Sequence, residues 1–129
     1  MKILIVDDDR LMLDALSHYL EAEGYEISIA EDGFQALDLI QKQKIDLVIS
    51  DIMMPNISGL SLLNLLKQFY FNNIPVILIS SLDQGDLILR TLDLGAIDFL
   101  TKPIDFKKLS LLVKKLGKNN DEVKNLLTS

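Results

Sequence analysis

Two kinds of apolar pattern alternate along the 129 residues. Short runs rich in β-branched side chains occupy residues 3–6, 27–29, 47–49, 76–79 and 97–100. Each has the length and composition of a strand buried on both faces. Between them, apolar residues recur at helical spacing. Leu13, Leu16 and Leu20 share one face, and Gly24 supplies the stop. Phe34, Leu37 and Ile40 form the next stripe, and Leu62, Leu66 and Phe69 mark a third within the leucine-rich stretch 59–70. Leu92 follows Ile88 by one turn in a fourth helix, and Phe106, Leu109, Val113 and Leu116 line a fifth. Fivefold alternation of strand and helix predicts an α/β fold, a doubly wound parallel sheet with helices on both faces and right-handed crossovers. The run Gly117, Lys118, Asn119, Asn120 predicts the end of the last helix. One domain is therefore expected over 1–117, followed by a tail or the start of a linker over 118–129, polar or adding one short helical turn.

Composition narrows the chemistry. With 49% hydrophobic and 25% charged residues the chain has the make-up of a globular domain rather than a disordered one. No apolar run approaches the roughly 18 residues of a membrane span, and the start resembles no signal peptide, so a cytoplasmic protein without membrane contact is expected. The absence of cysteine removes disulfides, thiolate metal sites and cysteine nucleophiles, and a single histidine, His18, removes multi-histidine metal sites. His18 falls off the apolar stripe of the first helix and reads as a surface residue. The net charge is −6 and unevenly placed: residues 1–100 carry six basic and sixteen acidic side chains, residues 101–129 seven and three. The acidic body disfavours nucleic acid, whose binding rests on neutralising phosphates. The basic end reads as a solvated lysine face, with an acidic partner as the alternative.

The residues left to carry chemistry gather where strands end. Asp7, Asp8 and Asp9 follow the first strand, Asp51 the third, Ser80 and Ser81 the fourth, and Lys102 the fifth. In an open parallel sheet all these positions face one edge, the edge at which ligands bind. Any single carboxylate there can be a helix cap or turn residue, and Asp9 is read as an N-cap. Together they suggest more. Clustered carboxylates repel one another unless a cation sits among them. Oxygen ligands without histidine or cysteine favour a hard ion, and Mg²⁺ suits a site of few carboxylates, water and phosphate oxygens. A lysine and a hydroxyl complement phosphoryl oxygens, and an aspartate can attack phosphorus to form an acyl phosphate.

Four segments resemble the receiver domain of two-component response regulators: Ile-Leu-Ile-Val-Asp-Asp-Asp (3–9), Val-Ile-Ser-Asp-Ile-Met-Met-Pro-Asn-Ile-Ser-Gly (48–59), Pro-Val-Ile-Leu-Ile-Ser-Ser (75–81) and Gly-Ala-Ile-Asp-Phe-Leu-Thr-Lys-Pro (95–103). The resemblance covers roughly residues 2–117. It implies a flavodoxin-like sheet of order 2-1-3-4-5 and a phosphorylation-activated signalling switch. Asp51 would be the phosphoacceptor. Asp7 and Asp8 would hold Mg²⁺ together with Asp51 and the backbone carbonyl of Met53. Lys102 would contact the phosphoryl group, and Pro103 would follow a cis peptide. Ser80 would be the switch hydroxyl, and Phe99 the aromatic that reports its movement. The donor would be a sensor histidine kinase or a phosphotransfer protein. The chain would not be an enzyme acting on separate substrates, although it would catalyse its own phosphorylation and dephosphorylation.

The resemblance also implies an output face made by the fourth helix, fifth strand and fifth helix, carrying Arg90, Ile97, Asp98, Leu112 and Lys114. Phosphorylation-promoted homodimers through that face are expected. Met53 and Leu82 occupy the two variable positions flanking the approach of a hydrolytic water, and their apolar character predicts a long-lived phosphoryl group. Ser80, Phe99 and Ser58 stand where threonine, tyrosine and aspartate are commoner.

Two other functions remain open from the residues alone. Val6-Asp7-Asp8-Asp9 also resembles the opening of haloacid-dehalogenase-type phosphohydrolases, with Asp7 as nucleophile and Asp9 as acid, but leaves Asp51 without a role. A receiver-like scaffold that is never phosphorylated is the other, and the full set of acids, hydroxyl and lysine argues against it.

Overall fold

The structure, a computed structural model, describes the backbone of residues 1–69, 73–81 and 85–128, and the side chains of these except 85–88 and 119–128. Strand and helix alternate as β1 (Lys2–Val6), α1 (Arg10–Ala22), β2 (Glu26–Ala30), α2 (Gly33–Lys42), β3 (Leu47–Asp51), α3 (Gly59–Phe69), β4 (Val76–Ser80), α4 (Gly85–Asp93), β5 (Asp98–Thr101) and α5 (Phe106–Thr128). The strands form one parallel sheet in the order β2-β1-β3-β4-β5. The sheet matches the expected topology. β5 begins one residue later than the pattern suggests, because Ile97 sits before the strand and is 43% exposed.

Alternation along each strand sends side chains into two cores. Leu4, Val6, Val48 and Leu78 meet Ala36 of α2 and Leu62, Leu63 and Leu66 of α3 on one face. Ile3, Ile5, Leu47, Ile49 and Ile77 meet Leu13, Leu16 and Leu20 of α1 and Leu109 and Val113 of α5 on the other. Both sheet faces are thus covered, which is why the central strands read as unbroken apolar runs rather than alternating ones.

Helix ends follow from local chemistry. The Asp9 side chain accepts from Leu11 N at 3.0 Å and caps α1, and Asp32 accepts from Gln35 N at 2.8 Å and caps α2. α1 and α4 stop by the same device. Gly24 (φ 98°) and Gly95 (φ 101°) adopt the left-handed conformation. Each donates back to the helix, Gly24 to Glu21 O and Gly95 to Leu92 O, while the next residue donates to Leu20 O or Thr91 O.

Three expectations are corrected. Phe34 and Phe69 are exposed, so the inward faces of their helices are built around Ala36 and around Leu62, Leu63 and Leu66 instead. The last helix does not end near Gly117: α5 continues to Thr128. Gly117 takes no left-handed turn, so the helix is free to run through it. Ile88 and Leu82 lie outside the described side chains. His18 is exposed, as expected.

Candidate functional site

Parallel strands deliver their last residues to one edge. β1 ends at Val6, so Asp7 and Asp8 emerge there; β3 ends on Asp51, β4 on Ser80, and Lys102 follows β5. The register pairs Val6 with Ser50, Asp51 with Ile79 and Ser80 with Thr101. These side chains therefore sit at one level.

The carboxylates of Asp7, Asp8 and Asp51 each offer an oxygen within 4.8 Å of the others. Asp7 and Asp51 are buried, whereas Asp8 is exposed. Lys102 reaches between the two buried acids, its Nζ 3.3 Å from Asp7 Oδ2 and 3.4 Å from Asp51 Oδ2. The second Asp7 oxygen, Oδ1, accepts from Asp9 N at 2.9 Å, which fixes the turn out of β1. Lys102 is anchored through its backbone, where its N–H donates to Ser80 O at 2.7 Å. The peptide between Lys102 and Pro103 is cis, as the sequence resemblance implied. Ser80 is buried beside this anchor.

The electrostatics follow from burial and crowding. Desolvation pushes the Asp51 carboxyl above the usual range; Asp7 adds to the rise, and Lys102 opposes it. Burial alone would lower the Lys102 ammonium, but Asp51 and Asp7 outweigh it and hold Lys102 above its ordinary value. Three carboxylates and one ammonium leave a formal charge of −2 in a site of oxygen donors. That charge and donor set fit a hard divalent cation.

The loop after β3 is tightly drawn. Asn56 takes a left-handed conformation (φ 68°), which asparagine tolerates better than most residues. Gly59 N donates to Ile52 O at 2.9 Å. A Cβ on Gly59 would lie 2.3 Å from Asp51 O, so only glycine admits this approach. Met53 lies on the loop with its side chain 64% exposed.

Of the expected site residues, Asp7, Asp8, Asp51 and Lys102 converge directly, and Ser80 borders them through the Lys102 backbone. Phe99 is not among the groups that converge on Lys102. Its ring is buried in the core shared with α2 and α3. Asp9 is occupied as the α1 cap, which removes it from the acid role of the phosphohydrolase reading. Sequence reasoning missed Arg10, which pairs with Glu31 at 3.0 Å and Asp14 at 3.4 Å on the rim. It also missed Ser50, whose signal was a polar residue inside an otherwise apolar strand.

Comparison with known proteins agrees with this arrangement. The family model of the response regulator receiver domain matches residues 3–114. The chain is 36% identical over 109 residues to response regulator MprA of Mycobacterium sp. (strain KMS), covering 84% of this chain and 47% of that protein. It is 42% identical over 110 residues to the transcriptional regulatory protein CpxR of Escherichia coli (strain K12), covering 84% of this chain and 45% of that protein. It thus spans about half the length of these relatives. Among solved structures, the receiver domain of the Francisella response regulator 1452 superposes with a TM-score of 0.87 at 35% identity, over 92% of this chain and 98% of that one. The Vibrio cholerae chemotaxis protein CheY4 superposes with a TM-score of 0.80 at 28% identity, over 89% and 97%. Strand order, the acids at the strand ends and these matches lead to one assignment: the chain belongs to the response regulator receiver domain family.

Proposed function

We propose that the chain is a phosphorylation-activated switch in which Asp51 is the phosphoacceptor. The observation that carries this reading is the seating of the buried Asp51 carboxylate between a lysine and two further carboxylates, at 3.4 Å from Lys102 Nζ. An Asp51 oxygen attacks the phosphorus of a phosphohistidine; the new O–P bond forms as the P–N bond breaks, and the imidazole leaves. Lys102 swings from its two carboxylates to a phosphoryl oxygen, and the Ser80 hydroxyl donates to another. Asp7, Asp8, Asp51 and the Met53 backbone carbonyl would hold Mg²⁺, which supplies charge neutralisation when bound. Most of the rate then comes from positioning and charge rather than from a separate acid or base.

The donor is a sensor histidine kinase or a phosphotransfer protein, and the setting is cytoplasmic. Among the described residues no helix is long and apolar enough to cross a membrane, which fits that setting. The domain itself contacts no nucleic acid in this reading. The response emerges on the face of α4, β5 and α5 and favours a homodimer. Exposed Leu89, Leu92, Leu94 and Ile97 give that face an apolar character. Lys114 contributes less than its position suggested, because it already faces Glu23 of its own chain at 3.7 Å. A long phosphoryl lifetime remains part of this reading, resting on Met53 alone among described residues.

The test is intact-mass analysis after incubation with Mg²⁺ and a small acyl phosphate or phosphoramidate. The wild type gains one phosphoryl mass, mapped to Asp51, and Asp51→Asn gains none while keeping its fold. Labelling of the variant at the wild-type level, or mapping to Asp7, would end the assignment.

A further inference from the structure

Ser50 is fully buried on the sheet face that otherwise receives Val48 and Ile52, both packed in the core beneath α2 and α3. Strand alternation in such a place calls for an aliphatic side chain. A hydroxyl there is costly unless it is bonded. Its Oγ donates to the backbone carbonyl of the next residue, Asp51, at 2.9 Å.

We propose that Ser50 is a positioning residue for the phosphoacceptor: its hydroxyl fixes the peptide plane on the C-terminal side of Asp51, and with it the start of the loop that carries Met53. This rests on the reading of Asp51 as phosphoacceptor. The Asp51–Ile52 peptide and the one that follows it are held by three further contacts. The Gly59 α-carbon lies so close that an added Cβ would be 2.3 Å from Asp51 O and 2.9 Å from Ile52 Cα. Gly59 N donates to Ile52 O, and Ile52 N donates to Ile79 O of β4, both at 2.9 Å. Among the described residues the Ser50 hydroxyl is the side-chain member of this clamp. Without it the Asp51 carbonyl loses a donor and its plane can rotate, carrying the Asp51 side chain off the line of attack. Reactions that depend on alignment respond steeply to displacements of about 1 Å.

The experiment compares wild type with Ser50→Ala, which removes the hydroxyl, and Ser50→Cys, which keeps the volume but offers only a weak donor. Labelling by a small phosphodonor at saturating Mg²⁺ avoids any dependence on kinase docking. Amide hydrogen exchange on the metal-free proteins follows Ile52, Gly59 and, as a core reference, Ile5. Both variants are expected to label about tenfold more slowly, with faster exchange at Gly59 and unchanged protection at Ile5. Labelling of either variant within about threefold of wild type overturns the proposal. So does slow labelling accompanied by lost protection at Ile5, because general loosening of the core then accounts for it. If the wild type itself takes no phosphoryl group on Asp51, the functional reading fails and the role of Ser50 fails with it. If it labels normally and the variants follow it, only the role of Ser50 fails.

Discussion

Replacing Lys102 by methionine removes one charge from the centre of the site at nearly constant length and volume. In the wild type, Nζ lies 3.3 Å from Asp7 Oδ2 and 3.4 Å from Asp51 Oδ2. At an effective dielectric of about 20, each pair is worth about 5 kcal/mol of gross Coulomb attraction. Desolvation offsets much of this, since the lysine side chain is only 19% exposed. The variant loses the attraction but keeps the desolvated acids. Two carboxylates within 4.8 Å of each other then repel by about 3.5 kcal/mol at the same dielectric. Removing one member of a buried ion pair costs about 3–5 kcal/mol. The residual exposure of Lys102 puts the expected loss at the lower end, about 3 kcal/mol at pH 7 in chelator. With an unfolding entropy of about 2.1 cal/mol/K per residue over 129 residues, Tm falls by about 11 °C. Excess Mg²⁺ should recover at least half of the loss by replacing the missing positive charge, and acidification should recover part of it by protonating Asp51. Calorimetry under the three conditions decides. A fall below about 4 °C in chelator, or one insensitive to both Mg²⁺ and pH, would refute the claim that Lys102 is the resting counter-charge.

Asp51→Asn should melt above the wild type at pH 7 in chelator. Because burial and Asp7 raise the folded pKa of Asp51, its protonated form favours the folded state. Metal-free wild type therefore loses stability as pH rises from the ordinary carboxyl range through that raised value, and the asparagine variant does not. Equal melting temperatures at pH 7 would count against the crowding. Asp8→Ala should weaken Mg²⁺ binding at least about tenfold by titration calorimetry, and unchanged affinity would remove Asp8 from the ligand set. Sedimentation with a beryllofluoride phosphoryl mimic should show a rise in mass, abolished by Ile97→Asp on the output face. An unaltered mass would reject the dimer and leave that face to a different partner.

Much of this was legible in the sequence because two strong signals coincide. The central strands, buried on both faces, are almost wholly apolar and stood out, the edge strands kept enough β-branched residues to show, and polar residues directly after the strands fall on one edge by topology alone. Periodicity proved weaker at helix margins. Phe34 and Phe69 fit a helical stripe by spacing, but each lies near an end of its helix and is exposed. The length of α5 was hidden because Gly117 and two asparagines look like a stop, whereas glycine ends a helix only when the chain turns left-handed there. The seam between α1 and α5 was invisible for a different reason. Ser110 Oγ donates to Glu23 Oε2 at 2.8 Å across 87 residues of sequence, and no local pattern encodes that distance. The clamp on the Asp51 peptide was likewise hidden, since a serine before an aspartate carries no periodic signal.

The contact between Lys102 and Asp7 joins residues 95 positions apart, and that between Lys102 and Asp51 joins residues 51 apart. The strand that delivers the lysine is also the last in the chain, at the edge of the sheet. A nascent or truncated chain that lacks β5 retains all three acids but has no ammonium to hold them together. Its carboxylates lack the counter-charge that Lys102 supplies. On the proposed reading of Asp51 as phosphoacceptor, the site is complete only once β5 has paired with β4 and closed a high-contact-order sheet.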